Sequence, residues 1–268
     1  MITSDAVKSG MSTTIPAAPP AVRMRWDNLL FLHWPVPAEV IRPLVPEPLE
    51  VDLYNGTAWV ALVPFRMEAT RFRGYPPLPG LGSFYECNVR TYVRMPETDK
   101  RNAGDVLPGL PGAGAELPGA GVWFMSLDAE RLLPVLGGRW LWKLNYVHSR
   151  FEVSRSADER ETDYRLARRA TPSVGSRIVW RRGEPIEPSK PGSIEHFLTE
   201  RYWLYTVKGG RLMAGRIAHE AWPLRSAELL HLEDGLVQAG GVEVGGDPLA
   251  WHSDTLDVIG WKLVEAHP

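Results

Sequence analysis

The sequence predicts a mainly β protein with a few short helices, built as a large antiparallel barrel or sandwich. Three observations carry that expectation. Eleven tryptophans, 24 prolines and 25 glycines among 268 residues favour strands and tight turns over long helices. Roughly eight short runs have the composition and spacing of strands and are bounded by turn residues. Helical spacing of apolar residues is confined to two or three short stretches.

The elements follow in order. Residues 1–23 are rich in Ser, Thr, Ala and Pro, end near Ile15-Pro16-Ala17-Ala18-Pro19-Pro20, and read as a loose tail before one β-rich domain over 24–268. From Pro37 to Leu44 a short helix is expected, with Val40, Ile41 and Leu44 at helical spacing and Pro46 and Pro48 stopping it. Val51–Tyr54 and Thr57–Val63 read as a hairpin across Asn55-Gly56. Phe84–Val93 is a strand whose residues alternate: Cys87, Val89, Thr91 and Val93 point one way, Glu86, Asn88, Arg90 and Tyr92 the other. Residues 97–120 are Pro, Gly and Ala without period, too long for an ordinary hairpin loop, and read as disordered or as a flap. Gly121–Leu127 returns as a strand, and Asp128 is placed to cap a helix over Ala129–Leu136. Phe151–Val153, Tyr164–Arg169 and Arg177–Arg181 are further strands. Ser193 caps a helix running to about Glu200. Tyr202–Val207 and Arg211–His219 form a second hairpin across Gly209-Gly210, whereas Leu229–Leu236 fits neither period.

Composition excludes several classes of function. A formal charge of −2 with interleaved signs gives no sustained field for nucleic acid or an anionic membrane, and the cluster Arg165, Arg168, Arg169 reads as a solvated face. Cys87 is the single cysteine, so no intramolecular disulfide forms and nothing points to an oxidising compartment. No apolar run reaches the length of a signal peptide core or of a membrane span, so a cytoplasmic location is expected.

Standard catalytic signatures are absent: there is no G-x-S-x-G, P-loop or H-E-x-x-H. Gly112-Ala113-Gly114 lacks the following helix that would hold a pyrophosphate. The seven histidines have no ligand spacing, so neither a metal nor another cofactor is expected. The informative feature is the polar strand face, which either meets water or lines an interior large enough for a ligand. Glu200 and Arg201 are expected to pair where a helix end meets a strand. His219, and likewise His33 with Pro35 fixing the turn behind it, read as structural hydrogen-bonders at strand ends.

Six runs carry a resemblance. Phe31-Leu32-His33-Trp34, Gly56-Thr57-Ala58-Trp59-Val60, the strand from Phe84 to Val93, Gly121-Val122-Trp123-Phe124-Met125-Ser126-Leu127-Asp128-Ala129, Phe197-Leu198-Thr199-Glu200-Arg201-Tyr202 and His219-Glu220-Ala221-Trp222-Pro223-Leu224 together resemble the YqjF-like family. That family of uncharacterised bacterial proteins looks like a distant branch of the acetoacetate decarboxylase superfamily. The resemblance implies an acetoacetate decarboxylase-like double sheet or barrel around a central cavity, with Glu86 as a cavity carboxylate. The superfamily's decarboxylases form an imine through a lysine of lowered pKa. Their lysine pair matches Tyr146 and Val147 in the run from Gly138 to Val147, and Lys143 lies three residues early. Acetoacetate decarboxylase activity is therefore not expected.

Two readings of function remain at this level. One is a lyase- or hydrolase-like enzyme acting on a small carboxylic or oxo acid by acid–base chemistry, with Glu86, Tyr146 and His219 catalytic. Asn88, Arg90, Tyr92, Trp123, Phe124, Arg201 and Tyr205 would bind the ligand. The other is a non-catalytic small-ligand-binding protein using the same residues. A scaffold presenting its tryptophans to partners is a third, and a homo-oligomer is compatible with all three.

Overall fold

A turn-rich chain of short β-branched and aromatic runs folds by pairing strands, and the pairing pattern decides which faces are wet. A computed structural model describes residue 16 and residues 18–75, 82–96 and 118–266. Its strands are β1 (Val22–Asp27), β2 (Leu29–Val36), β3 (Glu50–Val51), β4 (Ala58–Phe72), β5 (Phe84–Arg94), β6 (Gly121–Ala129), β7 (Tyr146–Arg155), β8 (Glu161–Arg168), β9 (Gly175–Pro185), β10 (Trp203–Lys208), β11 (Arg211–Ala218), β12 (Leu224–Asp234), β13 (Leu249–Ser253), β14 (Leu256–Gly260) and β15 (Val264–Glu265). The helices are short: α1 (Ala38–Ile41), α2 (Leu132–Gly137), α3 (Ile194–Thr199) and α4 (Leu236–Ala239). No helix of the described residues is long and apolar enough to cross a membrane.

All the strands join one sheet whose pairings close on themselves. One circuit runs β6–β7–β8–β9–β12–β13–β2–β4–β5 and returns to β6, and a second runs β1–β14–β11–β10–β6–β5–β4 and returns to β1. The strands β4, β5 and β6 belong to both circuits, so each has a covered face on either side. Cys87, Val89 and Val93 pack with Leu30, Leu62, Tyr164 and Trp180. On the opposite face Phe84 and Tyr92 pack with Phe31, Val63, Phe65 and Trp222. The polar set Glu86, Asn88, Arg90 and Tyr92 is accordingly buried, and the water-facing reading of this strand is excluded.

Several expectations are corrected by the environment each residue meets. Asn55 and Gly56 take the left-handed backbone of a tight hairpin turn (φ 49° and 79°), and Tyr54 bridges Thr57. The hairpin stops there, because both edges of β4 are taken by β2 and β5, and β3 pairs with the end of β5 instead. Asp128 caps no helix. It stays in β6 with Arg168 and Ser149 as partners, and α2 starts only after Arg131. Pro35 lies within β2 opposite Trp59, not in a turn. Pro43 lacks the amide a fourth helical bond needs, so α1 ends at Ile41 and a 3₁₀ turn follows over Arg42–Leu44. The mixed stretch at 229–236 is the irregularly registered end of β12, followed by α4, whose first amides are capped by the Asp234 carboxylate.

Part of the expected tail is built in. Val22 opens β1, and the Ala18 carbonyl accepts from the Trp261 indole at 2.7 Å. Residues 1–15 and 17 of the tail and residues 97–117 of the Pro/Gly-rich segment lie outside the described residues.

Candidate functional site

Glu86 stands near the start of β5, and its backbone is anchored before its side chain is considered. The Tyr164 hydroxyl donates to the carbonyl of Glu86 at 2.8 Å. Tyr146 opens β7, which runs parallel to β6 with Tyr146 opposite Leu127. Leu127 in turn pairs with Asn88, so Tyr146 lies one strand beyond the row next to Glu86. From there its hydroxyl donates to Glu86 Oε2 at 3.0 Å. The π-helical turn over Gly138–Trp142 that precedes β7 leaves room for that ring: a Cβ on Gly138 would lie 2.3 Å from two Tyr146 ring carbons. Lys143, in left-handed backbone at φ 52°, is exposed, and its carbonyl accepts from Thr206. It therefore does not enter the interior.

Burial pushes the Glu86 carboxyl up to about 8, with the buried Asp128 charge adding to the shift and the Tyr146 hydrogen bond opposing it. Asp128 belongs to the opposite face of β5–β6, opposite Cys87. It is held by both nitrogens of the Arg168 fork, Nε and Nη2, at 3.0 Å each and by Ser149 Oγ at 2.7 Å. This shift favours the protonated form of Glu86 near neutral pH, with the Tyr146 hydroxyl as its hydrogen-bond partner.

Four residues along the same face is Arg90, about 13 Å from Glu86 at the Cα level, with Asn88 between. The Arg90 guanidinium lies over Phe31 (5.7 Å) and Tyr92 (5.9 Å). Among the described residues no carboxylate is within ion-pair distance of it, and its Nε has no hydrogen-bond partner. Arg201 contrasts with it. That guanidinium stacks on Phe197 at 4.2 Å, pairs with Asp52 at 2.6 Å and donates to the Phe197 carbonyl. The expected Glu200–Arg201 pair is corrected: Glu200 accepts from Tyr202 and from the Trp222 amide. Arg201 is thus paired with a carboxylate, whereas Arg90 has only aromatic rings and the Tyr92 hydroxyl about it among the described residues.

Other expected residues are dispersed. His219 contacts the rings of Tyr202 (4.9 Å) and Trp222 (4.8 Å), bonds the Glu220 carbonyl, and has its pKa lowered chiefly by burial, with the Arg90 charge adding to it. Phe124 pairs with Arg90 across β5–β6 and packs on the same side. Trp123 and Tyr205 pack with the other cluster. Two buried residues not counted as site candidates belong near it. His33 is fully buried beside Arg90, and burial, with the Arg90 charge adding to it, holds its ring well below the ordinary histidine range. Its signal was an unbroken apolar run, Leu29 to Trp34, interrupted only by this imidazole. Asp128 carried no such signal. A surface depression of about 410 Å³ lies elsewhere, lined by Pro35, Pro37, Glu39, Gly56 and their neighbours.

The family model of DUF2071, described as uncharacterized conserved protein, matches residues 23–104 and 116–257. The chain belongs to this family. It is similar to the uncharacterized protein YqjF of Bacillus subtilis (strain 168), with 32% identity over 243 residues covering 90% of this chain and 91% of that one. This is the family the six sequence runs resemble. Among solved structures the chain is similar to the enduracididine biosynthesis enzyme MppR complexed with pyruvate, at TM-score 0.60, 13% identity and coverage of 92% and 91%. It is also similar to acetoacetate decarboxylase from Legionella pneumophila, at TM-score 0.58, 12% identity and coverage of 94% and 90%. The fold of this DUF2071 member is therefore acetoacetate decarboxylase-like.

Proposed function

We propose that the face of β5 between Glu86 and Arg90 lines a cavity for a small carboxylic or oxo acid. Glu86, assisted by Tyr146, transfers a proton to or from this acid in a lyase- or hydrolase-like step that uses no imine-forming lysine. The observation that carries this reading is Arg90, a buried cation with no carboxylate partner among the described residues, on the same strand face as a carboxyl held protonated at neutral pH. A desolvated cation calls for an anion, and the ligand's carboxylate supplies it. A carboxyl poised near 8 donates and recovers a proton at physiological pH, which an ordinary glutamate does not. Asn88 Oδ1, buried without a hydrogen bond among the described residues, and the Tyr92 hydroxyl, which faces Arg90, add polar groups between and beside the two poles. A structural neighbour's complex with pyruvate, an oxo acid, is consistent with this class of ligand.

The test is calorimetric titration of the protein with short oxo and hydroxy acids, followed by NMR of each acid in D2O. Saturable binding that Arg90→Met abolishes is expected, together with solvent-proton exchange or cleavage that Glu86→Gln abolishes while binding remains. Binding with every acid chemically unchanged would instead identify a ligand-binding protein. Absence of binding to any acid overturns both. Borohydride trapping with the same acids is expected to give no adduct, since Lys143 is exposed.

A further inference from the structure

We infer that His33 reads a second oxygen of that ligand and that Ala61 sets its size, so that the site takes a short oxo or hydroxy acid in preference to a plain carboxylate. This rests on the assignment of Arg90 as the carboxylate anchor. The strand register carries it: His33 pairs with Ala61 across β2–β4, and Ala61 pairs with Arg90 across β4–β5. The three side chains form one row on one face, His33 and Arg90 flanking the small residue at about 10 Å between Cα atoms. Along β4 the residues sharing that face include Trp59, Val63, Phe65 and Met67, so Ala61 is the one small side chain in an otherwise bulky stripe.

Two rings flank this row at similar distances. Phe31 lies 6.1 Å from the His33 ring and 5.7 Å from the Arg90 guanidinium, and Tyr92 lies 6.0 Å and 5.9 Å from the same two groups. Among the described residues neither His33 nitrogen meets a partner in full hydrogen-bond geometry although the residue is fully buried, nor does Arg90 Nε, and the only group acting on the buried Tyr92 hydroxyl as a hydrogen-bond partner is the Arg90 guanidinium itself. The Leu198 backbone is the one hydrogen-bonding group that acts on the His33 ring, short of full hydrogen-bond geometry, and it is opposed by burial and the Arg90 charge. Buried polar atoms left without partners in a native structure mark a missing ligand or ordered water. A plain carboxylate answers Arg90 and leaves the imidazole unanswered. A neutral imidazole has one N–H and one lone pair, so it donates to a keto oxygen or accepts from a hydroxyl. An acid with such an oxygen near its carboxylate satisfies both ends of the row.

The experiment compares pyruvate, lactate and propionate, three acids of equal chain length, by calorimetry on the wild type and on His33→Phe, His33→Asn and Ala61→Leu. The wild type is expected to bind pyruvate or lactate at least about tenfold more tightly than propionate. His33→Phe is expected to erase that ratio while propionate binding persists, His33→Asn to restore part of it, and Ala61→Leu to weaken all three acids. Equal binding of the three acids by the wild type, or a ratio unchanged in both His33 variants, overturns the inference even where Arg90→Met abolishes binding. If His33→Phe does not fold, the His33→Asn ratio decides. No binding of any acid by the wild type, or binding indifferent to Arg90→Met, overturns the Arg90 assignment and with it this one.

Discussion

At the residue scale the protonation of Glu86 has a thermodynamic signature. Below pH 4.5 the folded and unfolded chains both carry its proton. Between 4.5 and about 8 the unfolded chain releases it and the native chain keeps it. Rising pH therefore favours unfolding by up to about 1.4 kcal/mol per unit in that window, and the slope ends once the native carboxyl ionises. Glu86→Gln removes this contribution, so the stability of wild type relative to the variant is expected to fall as pH climbs from 5 to 8 in urea titrations. A pH-independent difference would show an ordinary carboxyl. Tyr146→Phe removes the one contact that pulls the carboxyl down, and its native titration is expected to move above the wild-type midpoint in carbonyl infrared spectra.

At the element scale the turn between α2 and β7 and the strand β6 position the pair from two sides. Gly138→Ala places a methyl against the Tyr146 ring at 2.3 Å, closer than side chains tolerate. The ring must shift, with an expected loss of about 1–3 kcal/mol and a weakened Tyr146–Glu86 bond. Unchanged thermal stability together with an unchanged Glu86 titration would show that the turn relaxes freely. Asp128→Asn breaks a fully buried carboxylate's two-bond contact with Arg168. Because Arg168 keeps some contact with water (14% exposed), the expected loss is about 2–3 kcal/mol, at or below the lower end for a buried pair. The same substitution removes a negative charge that raises Glu86, so the Glu86 titration is expected to move down. A stability loss without that movement would uncouple the two carboxyls.

At the scale of the whole molecule, three strands shared by two closed circuits leave no seam along which one half separates from the other. Unfolding is expected to be a single transition. Far-ultraviolet dichroism and tryptophan fluorescence should coincide in denaturant, and non-coincident curves would reveal separable halves. Folding of so non-local a sheet is expected in the millisecond-to-second range or slower.

The same architecture explains what was legible beforehand. The strands at 84–93 and 121–127, the Ser193 cap, both glycine turns and the family runs were visible because each depends on neighbours in the chain: strand phase, turn backbone, capping chemistry. The candidate pair Glu86–Tyr146 was reached through resemblance, the polar face through alternation. Alternation reports the phase of a side chain on its own strand, with period two, and nothing about what covers either face. Hence the sequence by itself determined a β-rich chain, its turns and the membership of its family. Tertiary structure alone decided that both faces of β5 are buried, that Asp52 neutralises Arg201 while Arg90 has no carboxylate partner among the described residues, that Asp128 belongs to the sheet, and that His33, Ala61 and Arg90 share a row. Each of these depends on register between strands distant in the chain, and register is settled by which buried charges and rings find partners across the sheet.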